Sequence, residues 1–175
     1  YLPDEGKIYL GEHLISQYSR TSLKKHIAIV PQQIELFKDS VIENIAPGIQ
    51  DVNIARILSL IHDMNLSELL ERFEKGLGGQ IMEGGSNLSG GEAQRLAIVR
   101  ALYRDPSVVI FDEATSALDH DSERFIYLLI NRLKREGKTL ILISHRESAR
   151  ELADQLIILK RGKIAYSGPP GECEP

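Results

Sequence analysis

The chain has 175 residues, a length that bounds it to about one domain, and 42% of them are hydrophobic, enough to bury a sizeable core. Its net charge of −4 at pH 7 leaves no overall basic field, which argues against nucleic acid as the main partner. The single cysteine, Cys173, excludes a disulfide framework and reads as an inert exposed thiol on a tail, and no apolar run approaches the length of a membrane span.

Taken in chain order, residues 7–10 form a short apolar stretch between Gly6 and Gly11 and predict an edge strand or hairpin arm. The chain opens on Tyr1 rather than Met and shows no signal-peptide pattern, which places its native start further upstream. The β-branched run 26–30, closed by Pro31, predicts a strand. Over 41–70 the apolar positions recur at helical spacing. Ile54, Ile57, Leu58 and Ile61 form one stripe, and Leu66, Leu69, Leu70 and Phe73 another. Gly76, Gly78, Gly79, Gly84 and Gly85 then mark a loop.

The second half alternates in type. A helix is predicted over 90–103, stopped by Asp105-Pro106, then a strand over 108–111 and a helix over 122–135 ending near Gly137. A strand over 139–143, a short helix over 147–153 and a strand over 155–159 follow, and Gly162 turns the chain into 163–166. The runs 108–111 and 139–143 are apolar without alternation, which predicts parallel strands covered on both faces. Alternating β and α segments imply an α/β layer fold with right-handed crossovers. The Pro/Gly-rich stretch 168–175 predicts a frayed tail.

Two blocks carry chemistry. In Ser89-Gly90-Gly91-Glu92, a capping box accounts for Ser89 as N-cap and Glu92 at the third helical position. It leaves the glycines unexplained, although each costs up to about 0.8–1 kcal/mol in a helix. Glycine there lets a ligand reach backbone N–H groups at the positive end of the helix. Asp112-Glu113 closes an apolar strand, and ligands of open α/β sheets sit at strand carboxyl ends. One carboxylate there can hold Mg²⁺ while its neighbour orients or deprotonates a water; a solvated strand end is the plainer alternative. His145, ending the next strand, and Gln32, after Val30-Pro31, can face the same crevice. No phosphate-binding loop of the Gly-x4-Gly-Lys-Ser/Thr type is present. Glu5-Gly6-Lys7 and Gly137-Lys138-Thr139 both lack the earlier glycine, and the second also follows a helix instead of a strand.

The order and spacing of these blocks resemble the nucleotide-binding domain of an ABC transporter. Leu88-Ser89-Gly90-Gly91-Glu92-Ala93-Gln94-Arg95 looks like the family's signature sequence, the strand ending in Asp112-Glu113 like its Walker B strand, and Ser116-Ala117-Leu118-Asp119 like its D-loop. His145 is similar to the switch histidine and Gln32 to the Q-loop glutamine. Leu36-Phe37, Glu43-Asn44-Ile45 and Glu83-Gly84-Gly85-Ser86-Asn87 resemble exporter-type cassettes. Two departures stand out: Glu92 replaces the commoner glutamine, and the Walker A segment is not in the chain, as if the cassette were cut just after it.

The resemblance implies a partial RecA-like parallel sheet of a P-loop NTPase with an inserted α-helical subdomain and a remnant of an antiparallel β-subdomain. It divides the chain into a β/core remnant with the Q-loop (1–37), a helical subdomain with the signature (38–105), a core with Walker B, D-loop and switch histidine (106–167), and a tail (168–175). ATP and Mg²⁺ are the implied ligands. Glu113 and His145 would be catalytic, Asp112 and Gln32 would serve the metal, and Ser89, Gly90, Gly91, Glu92, Gln32 and Asp119 would contact or sense nucleotide. A second nucleotide-binding domain in a head-to-tail dimer, and a transmembrane domain touching the Gln32 and Glu83 regions, are the implied partners, with no nucleic acid. The setting would be the cytoplasmic face of a plasma or inner membrane, exporting a peptide or lipid-like substrate. The alternatives are a soluble ABC-type ATPase unconnected with transport and a non-catalytic cassette acting as an interaction module. Without a phosphate cradle, this chain alone is expected to be inactive and to leave a hydrophobic slot open in its sheet.

Overall fold

The computed structural model describes residues 3–115 and 120–173. Near the start, β1 (Tyr9–Leu10) pairs antiparallel with β2 (His13–Leu14), a shorter hairpin than the 7–10 run suggested. Helix α1 (Arg20–His26) is capped by Ser19, whose hydroxyl accepts the Ser22 amide at 3.1 Å, and leads directly into β3 (Ile27–Val30). His26 therefore closes a helix instead of opening a strand.

The helical region 41–70 is three helices and not one: α2 (Val41–Ile45), α3 (Ile54–Asp63) and α4 (Ser67–Glu71). Ala46-Pro47-Gly48 ends the first, because proline offers no N–H and its ring clashes with the preceding turn. Asn53 caps the second by accepting the Arg56 amide, and Asn65 terminates it in the left-handed region at φ 51°. The stripe over α3 is also narrower than its spacing implied. Ile57 and Ile61 are buried, while Ile54 and Leu58 are exposed.

Helix α5 (Gly90–Tyr103) has the bounds the sequence predicts and buries Leu96, Ile98, Val99 and Leu102 against α2, α3 and β3. It is followed by β4 (Val108–Asp112), α6 (His120–Arg135), β5 (Thr139–Ile143), a 3-10 segment Glu147–Leu152, and the hairpin β6 (Leu156–Lys160) and β7 (Lys163–Gly168). Strands β3, β4 and β5 form one parallel sheet in that order, with Ile29, Ile110 and Ile141 in register.

That sheet is covered on one face, not two. Val30, Val109 and Phe111 are buried in the core with Ile126 and Ile130 of α6. On the opposite face Ile29, Ile141 and Ile143 are 57%, 46% and 48% exposed. Unbroken apolar sequence thus reports two apolar faces, and among the described residues only one has helices packed on it. Between β5 and β6 lies a cavity of about 570 Å³, lined by Leu140, Leu142, Ala149, Leu152, Leu156 and Ile157 among others. The end of the chain is held and not frayed as far as Cys173: Arg150 donates to the carbonyls of Pro170 and Cys173. Cys173 itself is half-buried.

Candidate active site

Parallel strands bring their carboxyl ends to one edge, and here three neighbouring ends carry polar side chains. Gln32 lies just past β3, Asp112-Glu113 at the end of β4, and His145 just past β5. The three positions converge on one carboxylate. Gln32 Nε2 donates to Glu113 Oε2 at 2.7 Å, across 81 residues of sequence. His145 Nε2 lies 2.7 Å from Glu113 Oε1. Both oxygens of Glu113 are therefore engaged, each by a different strand end.

The backbone of Glu113 is itself unusual. Its φ is 47°, in the left-handed region that costs a non-glycine residue about 1–2 kcal/mol. A hydrogen bond from its amide to the carbonyl of Ile143, at 2.9 Å, holds it there and ties the end of β4 to the end of β5. Such strain at the tip of a strand re-aims a side chain toward the sheet edge.

Asp112, the last residue of β4, takes no part in these bonds. Among the described residues no group of three or more His, Cys, Asp or Glu side chains could hold a metal by itself. Mg²⁺, however, commonly binds through one or two carboxylates plus substrate phosphates and water. The Asp112 carboxylate and the Gln32 side-chain carbonyl, whose amide nitrogen is the end committed to Glu113, fit that mode.

The Ser89–Glu92 turn is a second, separate group. The capping box is formed: Ser89 Oγ accepts the Glu92 amide at 3.2 Å, and Glu92 Oε2 accepts the Ser89 amide at 2.8 Å and its hydroxyl at 2.9 Å. Arg72 donates to the other oxygen, Oε1, at 2.7 Å. Partial burial pushes the Glu92 carboxyl up, but the bonds from Ser89 and the Arg72 guanidinium outweigh it and hold it below the usual glutamate value. A Cβ at Gly90 would meet nothing within 4 Å, and at Gly91 the nearest atom is Ser122 Oγ at 3.5 Å. Neither packing nor a positive φ requires glycine at these two positions, so the turn simply leaves its first amides open. Among the described residues, no hydrogen bond or ion pair joins this turn to the Gln32–Glu113–His145 cluster. Asp119, with the rest of 116–119, lies outside the described residues.

Sequence reading named Asn44 only within a motif and missed the contacts that hold this edge together. Arg100 of α5 donates to the carbonyls of Asn44 and Glu35 and lies 5.2 Å from the Phe37 ring centroid. Fully buried Asn44 accepts the Phe37 amide at 2.9 Å and donates to the Phe37 carbonyl at 3.0 Å. Together they fasten the loop after Gln32 to the helix that begins at Gly90. Glu123 was missed too, although Glu123, Ile126, Tyr127 and Ile130 share one helical face, so a charge stood visibly in an apolar stripe.

The parallel sheet with its crossover helices and polar strand ends defines an α/β domain. The chain belongs to the ABC transporter family, whose model matches residues 1–116, and it is a nucleotide-binding domain of the exporter type. It is 43% identical over 173 residues to an ATP-dependent lipid A-core flippase of Pasteurella multocida, covering 98% of this chain and 30% of that protein. The flippase of the same description from Chromohalobacter salexigens is 39% identical over 172 residues, with 98% and 30% covered. The solved structure of a bacterial Atm1-family ABC exporter with ATP bound superposes with a TM-score of 0.87 at 35% identity, covering 98% of this chain and 30% of that one. The chain thus spans about 30% of the length of the curated relatives it matches. No helix among the described residues is long and apolar enough to cross a membrane.

Proposed function

We propose that this chain is part of the ATP-hydrolysing cassette of an exporter, which works at an interface between two such cassettes and drives a membrane domain. The observation that carries the reading is the convergence of Gln32 and His145 on the two oxygens of Glu113. Glu113 accepts a proton from the water that attacks the γ-phosphate. Because both its oxygens are engaged here, one contact must open first, and His145 leaves to donate to the γ-phosphate. Asp112 and the Gln32 carbonyl would hold Mg²⁺, which would supply neutralisation of phosphate charge. Gly90 and Gly91 present amide donors to nucleotide held by the opposite cassette, and Ser89 adds its hydroxyl once that group turns from Glu92, which otherwise keeps the turn in shape. Asp119 relays the state of one site to the other.

The Gln32 and Glu83 regions would pass dimer closure to the membrane domain from the cytoplasmic face. The Arg100–Asn44 link supports this route, because it couples the loop after Gln32 to α5. The flippase relatives favour a lipid-like cargo. In the intact protein, Glu113→Gln should leave ATP binding unchanged and lower hydrolysis by roughly 10²–10⁴-fold. Filter binding of ATP and phosphate release measure the two; turnover at the wild-type rate would remove Glu113 from the role.

A further inference from the structure

His145 has little to hold it by itself. Its side chain is 88% exposed, and among the described residues its one ion pair is to Glu113. Its direction therefore depends on the turn around it, and the side chains of that turn's Arg146 and Ser148 are held from one side by a buried carboxylate on α6.

Glu123 is 7% exposed. Its Oε2 accepts Arg146 Nη1 at 2.6 Å, the residue directly after His145. Its Oε1 accepts the Tyr127 hydroxyl at 2.6 Å and the Ser148 hydroxyl at 3.2 Å, and those two hydroxyls lie 2.8 Å apart. The Arg146 amide also donates to Ser144 Oγ at 3.0 Å, closing the turn around His145. A carboxylate this deep is costly unless every lone pair finds a donor, and here three side chains supply them. The Tyr127 bond leads in holding the Glu123 carboxyl below its ordinary value, opposed by burial and aided by Arg146 and Ser148.

We infer that Glu123 is a positioning residue for hydrolysis: through Arg146 and Ser148 it sets the turn that aims His145 at the Glu113 edge. The inference rests on the proposed ATPase reading for its kinetic consequence, and on geometry alone for its structural one. Among the described residues Glu123 makes no hydrogen bond or ion pair with Glu113 or His145, so its effect on hydrolysis passes through the turn that carries His145. It differs from a simple packing contact in one respect. Two of its three side-chain partners, Arg146 and Ser148, flank the histidine turn, while the third, Tyr127, lies on α6 itself.

Glu123→Gln tests this in the intact protein. The amide can still accept from Tyr127 and Ser148, but its nitrogen faces the Arg146 guanidinium, so that link breaks while volume is kept. The kcat for ATP should fall roughly tenfold with KM within about twofold, as for a group acting on the chemical step. Combined with His145→Ala, it should cause no further loss beyond that of His145→Ala alone. An unchanged kcat, or losses that multiply in the double variant, would overturn the inference. Tyr127→Phe, which removes one hydroxyl, serves if Glu123→Gln fails to fold, with the same pattern at smaller size. Hydrogen exchange gives a readout free of hydrolysis. In the nucleotide-free protein the amides of 145–149 should exchange roughly tenfold faster in Glu123→Gln while those of β4 do not change. Equal exchange at 145–149 would sink the inference. A wild-type protein that hydrolyses no ATP would count only against the proposed function.

Discussion

Glu92 brings a negative charge into the first turn of α5. The structure compensates for it twice, through the Ser89 amide and hydroxyl on one oxygen and Arg72 on the other. The carboxyl is held below its ordinary value, so its contribution to stability is fully present above about pH 4.5 and is lost as pH falls through the lower folded-state value. Arg72 is more than half exposed, so the pair is solvent-screened and of modest strength. Arg72→Met should therefore cost about 0.2–1 kcal/mol at neutral pH, with the difference from wild type shrinking to nothing in acid. Thermal unfolding of the intact protein against pH measures it; a deficit that persists below the titration of Glu92 would refute the assignment. Sequence had shown Ser89 and Glu92 as a capping pair, but nothing in the spacing of 72 and 92 disclosed the arginine.

Among the elements, α3 illustrates how periodicity finds a helix and misjudges its buried face. Ile54, Ile57, Leu58 and Ile61 all fit one stripe, yet burial is centred on Ile57, Ile61 and Met64. A helix docked mainly on α5 covers an arc narrower than four such residues span. Ile57→Ala should cost about 2–5 kcal/mol, the range for emptying a packed core site. Leu58→Ala should stay within about 0.5 kcal/mol, since Leu58 is 45% exposed. Urea unfolding of the two variants separates the cases, and equal losses would restore the broad stripe. Strands β4 and β5 carry the same lesson. Their apolar runs predicted parallel pairing correctly, but the covering of each face depends on which elements pack there.

At the scale of the whole molecule, the exposed face of Ile29, Ile141 and Ile143 and the cavity between β5 and β6 leave apolar surface and strand edges open to solvent. Such surfaces favour association between copies. The 175-residue chain by itself should therefore run as oligomers in size-exclusion chromatography. Its sequence has no Gly-x4-Gly-Lys-Ser/Thr run to cradle the β- and γ-phosphates, so it should also show no measurable ATP turnover. A monodisperse monomer with a sharp melt would contradict the first expectation, and phosphate release above background the second.

The sequence by itself determined the order of the motifs, the bounds of α5 and β5, the parallel α/β class and the identities of Gln32, Asp112, Glu113 and His145 as candidates. The elements and the Asp112-Glu113 pair follow from local signals: strand and helix periods, a capping box, and carboxylates closing an apolar run. Gln32 and His145 stood out through their strand-end placement and the family resemblance. Only the tertiary structure decided that Glu113, and not Asp112, receives both neighbours, and that Arg146 is held from α6 through Glu123. The reason is geometric. Parallel pairing of β3, β4 and β5 places residues from distant parts of the chain within hydrogen-bonding distance, and sequence spacing does not encode which side chains meet across that edge.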